Sequence, residues 1–61
     1  MSEIKRVLMK RDNISADEAN SLINEAKRAL QEYLEDGDLM AAENICAEYF
    51  GLEPDYVMEL F

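Results

Sequence analysis

The sequence predicts an all-α fold, a compact bundle of about four short helices with a long second helix and a helix-turn-helix-like C-terminal corner. Apolar residues recur at helical spacing through most of the chain. Serine and aspartate stand where helices would begin, and glycine stands where they would end. No segment alternates apolar and polar residues as a half-buried strand does. We therefore expect residues 1–61 to form a single helical domain.

The first helix is predicted to begin after Ser2, whose side chain is suited to an N-cap. Ile4, Val7 and Leu8 then share one face at i, i+3, i+4 spacing, which is the apolar side of an amphipathic helix. The segment Arg-Asp-Asn at 11–13 breaks this pattern, so the first helix should be short.

The second helix has the clearest start signal in the chain. Residues 15–18, Ser-Ala-Asp-Glu, form a capping box, and Ile14 stands where a hydrophobic staple onto Ala19 would begin. Its apolar positions keep the helical period over most of its length: Ala19, Leu22, Ile23, Ala26, Leu30, Tyr33 and Leu34. We expect this long helix to be the spine of the domain.

Two glycines define the C-terminal half. Gly37 should end the second helix in the left-handed conformation, and Asp38 should cap the third. The third helix, about residues 39–50, is predicted to bury Ala42, Ile45, Cys46, Tyr49 and Phe50. Gly51 ends it, with Leu52 placed for the hydrophobic contact of a Schellman motif.

The last helix is predicted to open on Pro54, which suits a first helical turn because its missing N–H is not needed there. Val57, Leu60 and Phe61 give it an apolar side. A 61-residue domain buries only about 60% of its unfolded surface. With so small a core and an apolar Leu60-Phe61 pair to cover, we expect a homodimer or larger assembly.

The net charge of −8 is unevenly placed. Residues 1–11 hold one acid and four bases: Lys5, Arg6, Lys10 and Arg11. Residues 29–61 hold nine acids and no base. Such a half repels duplex DNA, whose phosphates dominate nonspecific affinity, and attracts basic protein surfaces. The alternative interpretation is that the acidic residues only keep a small protein soluble.

Catalytic, metal and cofactor sites are not expected. Histidine is absent, and the single cysteine, Cys46, falls on an apolar helix face, where a small buried side chain is the expected role. The acids around Gly37 are explained by helix capping, because the ligand ladder of a calcium loop does not continue beyond them. One cysteine, no leader segment and no long apolar run predict a cytoplasmic protein that spans no membrane.

The segment GLEPDYVMEL, residues 51–60, resembles the corner of phage-repressor helix-turn-helix proteins. The resemblance covers residues 43–61 and rests on a small residue, a glycine and later apolar residues at the family's spacing: Ala47, Gly51, Leu52, Val57 and Leu60. The ending GLEPDY is also similar to small uncharacterised phage and prophage proteins of Gram-positive bacteria, which implies a phage or mobile-element origin but no known activity. The segment lacks the Arg, Lys, Asn and Gln with which a reading helix contacts bases and phosphates.

We therefore expect a non-catalytic acidic interaction module that binds a basic surface of a partner protein, in one form by imitating nucleic-acid phosphates. The predicted contact residues surround the 51–54 turn: Glu48, Glu53, Asp55, Tyr56 and Glu59. Tyr56 would be an exposed aromatic anchor, or would pack back onto the domain instead. The alternative function is a small helix-turn-helix-like transcriptional regulator that contacts DNA through its basic N-terminal helix. Binding of nucleic acid is the less favoured of the two.

Overall fold

The structure, a computed structural model, describes residues 2–61 and forms five helical segments in that range. They are α1 (Glu3–Arg11), α2 (Ala16–Glu35), α3 (Leu39–Glu43), α4 (Ile45–Phe50) and a C-terminal 3-10 helix (Pro54–Leu60). No strand occurs among residues 2–61. The predicted all-α bundle with a long second helix is therefore confirmed. α2 is its spine, because α1, α3, α4 and the 3-10 helix all pack against it.

Both predicted serine caps are present. The Ser2 hydroxyl accepts the backbone N–H of Lys5 at 3.1 Å, and the Ser15 hydroxyl accepts that of Glu18 at 3.1 Å. The Ser15 hydroxyl also donates to the Glu18 carboxylate at 3.3 Å, so the side chains of the capping box meet each other directly. Between the two helices, Asn13 has a φ of +53°, a left-handed conformation that asparagine adopts more readily than other non-glycine residues.

The Schellman motif lies at the end of α2. Gly37 has a φ of +74°, its N–H donates to the Leu34 carbonyl at 3.2 Å, and the Asp38 N–H donates to the Tyr33 carbonyl at 2.8 Å. This pair of bonds defines the motif. Asp38 then caps α3, because its carboxylate accepts the Ala41 N–H at 3.2 Å. The predicted turn between the second and third helices is confirmed.

The corner after α4 has the simpler left-handed ending. Gly51 has a φ of +65°, and its N–H donates to the Ala47 carbonyl at 3.1 Å, the single bond of that motif. The Leu52 N–H donates to the Cys46 carbonyl at 3.1 Å instead of making the bond of a Schellman motif. The left-handed glycine was predicted correctly, and the type of ending was not.

The predicted third helix is divided at Asn44. Its backbone N–H is shared between the Met40 and Ala41 carbonyls, both at 3.2 Å, and its side-chain amide donates to the Met40 carbonyl at 2.9 Å. A side chain that bonds the carbonyl four residues earlier competes with the backbone ladder and disturbs the helix. The helix predicted for residues 39–50 therefore exists as α3 and α4.

The last helix is a 3-10 helix, so its side chains lie on different faces from those of the predicted α-helix. With 3.0 residues per turn, positions i and i+3 align. One row contains Val57 and Leu60, which face the core. The next row runs through Met58 and continues to Phe61, and each of these two side chains is 73% exposed. The prediction that Phe61 shares the apolar side of this helix is wrong, because it assumed the spacing of an α-helix.

The hydrophobic core contains side chains from all five segments. Its buried members are Ile4, Leu8, Ala19, Ala26, Leu30, Ala42, Ile45, Cys46, Phe50 and Leu60. Tyr49, predicted to be buried, is 38% exposed and lies against the Phe50 ring, with 6.4 Å between the ring centroids. No helix in residues 2–61 is long and apolar enough to cross a membrane.

Candidate functional site

Glu48, the first of the predicted contact residues, lies against α2. Its two carboxylate oxygens accept the hydroxyl of Tyr33 at 3.1 and 3.3 Å. This hydrogen bond is the largest cause that raises the pKa of Tyr33 above its ordinary value, followed by desolvation. Glu48 therefore links α4 to α2 within the domain.

Tyr33→Phe should reduce the loss of stability at alkaline pH. The pKa of Tyr33 is raised in the folded state, so its bond to Glu48 contributes fully below the unfolded pKa, about 10. That contribution disappears as pH rises through the folded pKa. We expect the thermal midpoint of the wild type to fall more between about pH 8 and about pH 11 than that of Tyr33→Phe. Tyr49→Phe, which removes a hydroxyl without a hydrogen bond among residues 2–61, is the matched control and should follow the wild type.

The side chain of Glu59 caps the start of α1. Its carboxylate accepts the backbone N–H of Glu3 at 2.7 Å and that of Ile4 at 3.2 Å. Ser2 accepts the next N–H, that of Lys5. The first donors of α1, which no helix can satisfy internally, are thus bonded by two side chains that are far apart in the sequence. The carboxylate also complements the positive end of the helix dipole.

Glu59→Ala should destabilise the domain by about 1 kcal/mol, because it removes a charged cap from α1. In a domain of this size such a change lowers the thermal midpoint by roughly 4–8 °C. Glu59→Gln keeps an acceptor oxygen without the charge and should fall between Glu59→Ala and the wild type. Glu53→Ala, at an exposed carboxylate, is the control. Equal midpoints for Glu59→Ala and Glu53→Ala would show that the cap contributes nothing.

Tyr56 is half-buried and packs against the hydrophobic core. The ring is therefore not fully exposed and packs back onto the domain, which was the alternative prediction, and a contact between Tyr56 and a partner stays a prediction. In the 3-10 helix Tyr56 shares a row with Glu59, which faces α1. Glu53 and Asp55 are exposed and have no ion pair or side-chain hydrogen bond among residues 2–61.

The five predicted contact residues thus have three different surroundings. Glu48 and Glu59 hold helices together, Tyr56 packs on the core, and Glu53 and Asp55 remain open to a partner.

A base also adjoins the corner. The guanidinium of Arg11 lies 3.7 Å from the position that a Cβ on residue 51 would take. This guanidinium is itself paired with Asp12, at 2.9 Å.

The excess negative charge lies on the segments that follow residue 28. All six bases occur in residues 1–28, and the two ion pairs among residues 2–61, Arg6–Glu3 and Arg11–Asp12, both lie in or directly after α1. The hydrogen bond from Arg11 lowers the pKa of Asp12 below its ordinary value. None of the nine acids in residues 29–61 takes part in an ion pair within the described residues.

An apolar groove lies beside these acids, between α3 and the 3-10 helix. Two adjoining surface depressions share Glu43 and Val57 and form this groove. Its apolar residues are Leu34, Leu39, Ala42, Val57, Met58 and Phe61. Leu39 is 63% exposed, Glu43 lines both depressions, and Asp55 lines one of them. Contiguous exposed apolar surface is typical of interaction sites.

Sequence reasoning missed this groove, although one signal could have found it. Leu39 is the first residue of α3, and Met58 lies in the exposed row of the 3-10 helix, so neither falls on an α-helical apolar stripe. A large apolar residue outside every predicted core stripe is the signal. Phe61 was noted as an apolar end but was assigned to the buried side.

The single cysteine is a poor candidate for a catalytic nucleophile. Cys46 is fully buried, and burial raises the pKa of its thiol above the ordinary value, with Glu59 as a smaller cause. Both effects disfavour the reactive thiolate. Among residues 2–61, no group of three or more His, Cys, Asp or Glu side chains could hold a metal ion. Comparisons with protein-family models, curated proteins and solved structures found no match.

Proposed function

We propose that this protein is a non-catalytic acidic interaction module that binds a basic surface of a partner protein. The observation that supports the proposal is the set of nine carboxylates in residues 29–61, none of which is in an ion pair within the described residues. Unpaired surface charges of one sign attract an oppositely charged surface and accelerate encounter at low salt. A nucleic-acid-binding site is one such surface, and the carboxylates would then occupy the place of phosphates.

Glu53 and Asp55 are the predicted contact residues best suited to this role. Both are exposed, and neither has an intramolecular side-chain bond among residues 2–61. Neutralising them should weaken binding without loosening a helix. Glu48 and Glu59 are unsuitable for this test, because their carboxylates hold α4 and α1 in place.

The test is the binding of a fluorescent lysine-rich peptide, followed by anisotropy at low and then moderate salt. We expect binding at low salt that weakens as salt rises. Glu53→Gln with Asp55→Asn should lose several-fold more affinity than Asp17→Asn with Glu25→Gln, a matched pair of neutralisations in α2. Equal losses for the two pairs would mean that only net charge matters, and the acidic half would then have no dedicated role.

The alternative function, a DNA-contacting regulator, has one observation in its favour. Lys5 and Lys27 line a common cleft together with Asn20 and Asn24. Glu59 lines the same cleft, however, and its carboxylate would repel phosphates. Titration of generic duplex DNA in the same anisotropy assay should give no signal. DNA binding that Lys5→Ala with Lys27→Ala abolishes would replace our proposal with the alternative.

A further inference from the structure

The apolar groove lies between two helical segments. α3 packs on α2 and α4, whereas the 3-10 helix packs on α1, α2 and α4. Leu39 lines the groove from α3, Met58 from the 3-10 helix, Phe61 from directly after that helix, and Leu34 from the last turn of α2. A channel between two helical ridges fits the apolar face of a third helix, as in other helix-in-groove complexes.

An extended peptide fits this surface less well. Binding by strand addition needs an exposed sheet edge that supplies backbone hydrogen bonds. Residues 2–61 contain no strand, so no sheet edge offers a row of free backbone groups to the groove, whose walls are helices. An occupant must therefore satisfy its own backbone, which a helix does.

The acidic side chains around the groove favour a positively charged occupant. Glu43 and Asp55 line the groove, and α3, α4 and the 3-10 helix contain no base. A second copy of the chain would bring a like-charged surface to the same place, which opposes self-association. A cationic partner is attracted instead.

We propose that the groove binds a cationic amphipathic helix of the partner protein. Apolar side chains of that helix at i, i+3, i+4 and i+7 would cover Leu39, Met58 and Phe61, and its lysine or arginine residues would flank Glu43 and Asp55. This inference rests on the proposed function, because it takes the basic character of the partner from there. It adds the secondary structure of the bound segment and the surface that receives it.

Two peptides of identical composition test the inference. One places leucine at helical spacing with lysine elsewhere, and the other scrambles the order so that no apolar face exists. Both carry the same charge, so a difference in affinity reports the apolar face of the peptide and not its net charge. We expect the amphipathic peptide to bind about tenfold or more tightly than the scrambled one, since it can bury apolar side chains.

Two methionines provide the matched variants. Met58 is 73% exposed and lines the groove, whereas Met40 is 75% exposed and lies outside it. Met58→Ser should weaken the amphipathic peptide about fivefold to tenfold, and Met40→Ser should leave its affinity unchanged. Binding of the scrambled peptide should be the same for both variants and the wild type. Thermal melts establish that both variants remain folded, and Leu39→Ser provides a second groove variant.

The outcomes separate the two proposals. Equal binding of both peptides, unaffected by Met58→Ser and Leu39→Ser, overturns the groove and leaves the acidic module standing. Failure of both peptides to bind at low salt overturns the acidic module itself. Sedimentation equilibrium tests whether a second copy of the chain occupies the groove instead. A dimer that Met58→Ser dissociates and Met40→Ser preserves would show that a second copy occupies the groove, contrary to our inference.

Discussion

Ile45→Ala is expected to leave much of the protein unfolded at room temperature. Ile45 is the first residue of α4 and is completely buried, among the largest fully buried side chains of the described chain. Truncation of such a residue costs about 2–5 kcal/mol, because transfer free energy is lost and a cavity remains. A core of this size supplies about 3–5 kcal/mol of net stability. The stability lost in Ile45→Ala is therefore comparable to the whole free energy of unfolding of the domain.

Urea titration followed by far-UV circular dichroism measures this effect. The wild type should show a cooperative transition, and Ile45→Ala should begin its transition at or near zero denaturant. Ile45→Val removes one methyl group, costs about 0.5–1.5 kcal/mol and should retain a complete transition at a lower midpoint. Leu39→Ala, at an exposed position, is the control and should hardly move the midpoint. An Ile45→Ala midpoint equal to that of Leu39→Ala would contradict the assignment of Ile45 to the core.

Gly51→Ala and its counterpart Gly37→Ala have the largest expected effects among the exposed positions. Gly51 has a φ of +65°, and an alanine there strains the backbone by roughly 1–2 kcal/mol. The added Cβ would meet only the Arg11 guanidinium, at 3.7 Å, which is ordinary contact. The whole penalty thus comes from the backbone conformation, and the thermal midpoint should fall by several degrees.

Two further variants isolate that cause. Gly37 has a φ of +74° and nothing within 4 Å of its added Cβ, so Gly37→Ala should show a similar loss. Gly51→Asn should recover part of the loss at residue 51, because asparagine tolerates the left-handed region, as Asn13 does here with a φ of +53°. Coincident melts for Gly51→Ala and the wild type would mean that residue 51 is not left-handed in solution.

The features that sequence reasoning predicted correctly depend on neighbouring residues. Ser2, Ser15 and Asp38 bond N–H groups three positions along the chain, and Gly37 and Gly51 adopt the conformation that helix endings require. Such signals lie within a few residues of their effect. The start, the end and most of the apolar face of α2 could therefore be predicted from the chain alone, although Leu34 on that face is 42% exposed and lines the groove.

The features that sequence reasoning missed depend on a local choice of backbone conformation or on distant partners. At Asn44 the backbone leaves the helical conformation, with a φ of −99° and a ψ of 9°, and the side chain bonds the Met40 carbonyl. A seven-residue segment can be an α-helix or a 3-10 helix with the same apolar residues, and this choice decides whether Tyr56 or Phe61 faces the core. The bond between Glu59 and the start of α1 joins residues 56 positions apart, which no local pattern indicates.

That bond also determines how the two ends of the described chain move. The first turn of a helix ordinarily frays on its own, and its amide protons then exchange rapidly with solvent. The N–H groups of Glu3 and Ile4 are held by a side chain of the 3-10 helix, so α1 cannot open there unless Glu59 withdraws. We therefore expect opening of the first turn of α1 to be coupled to release of the Glu59 carboxylate, so that hydrogen exchange at the two ends should be correlated.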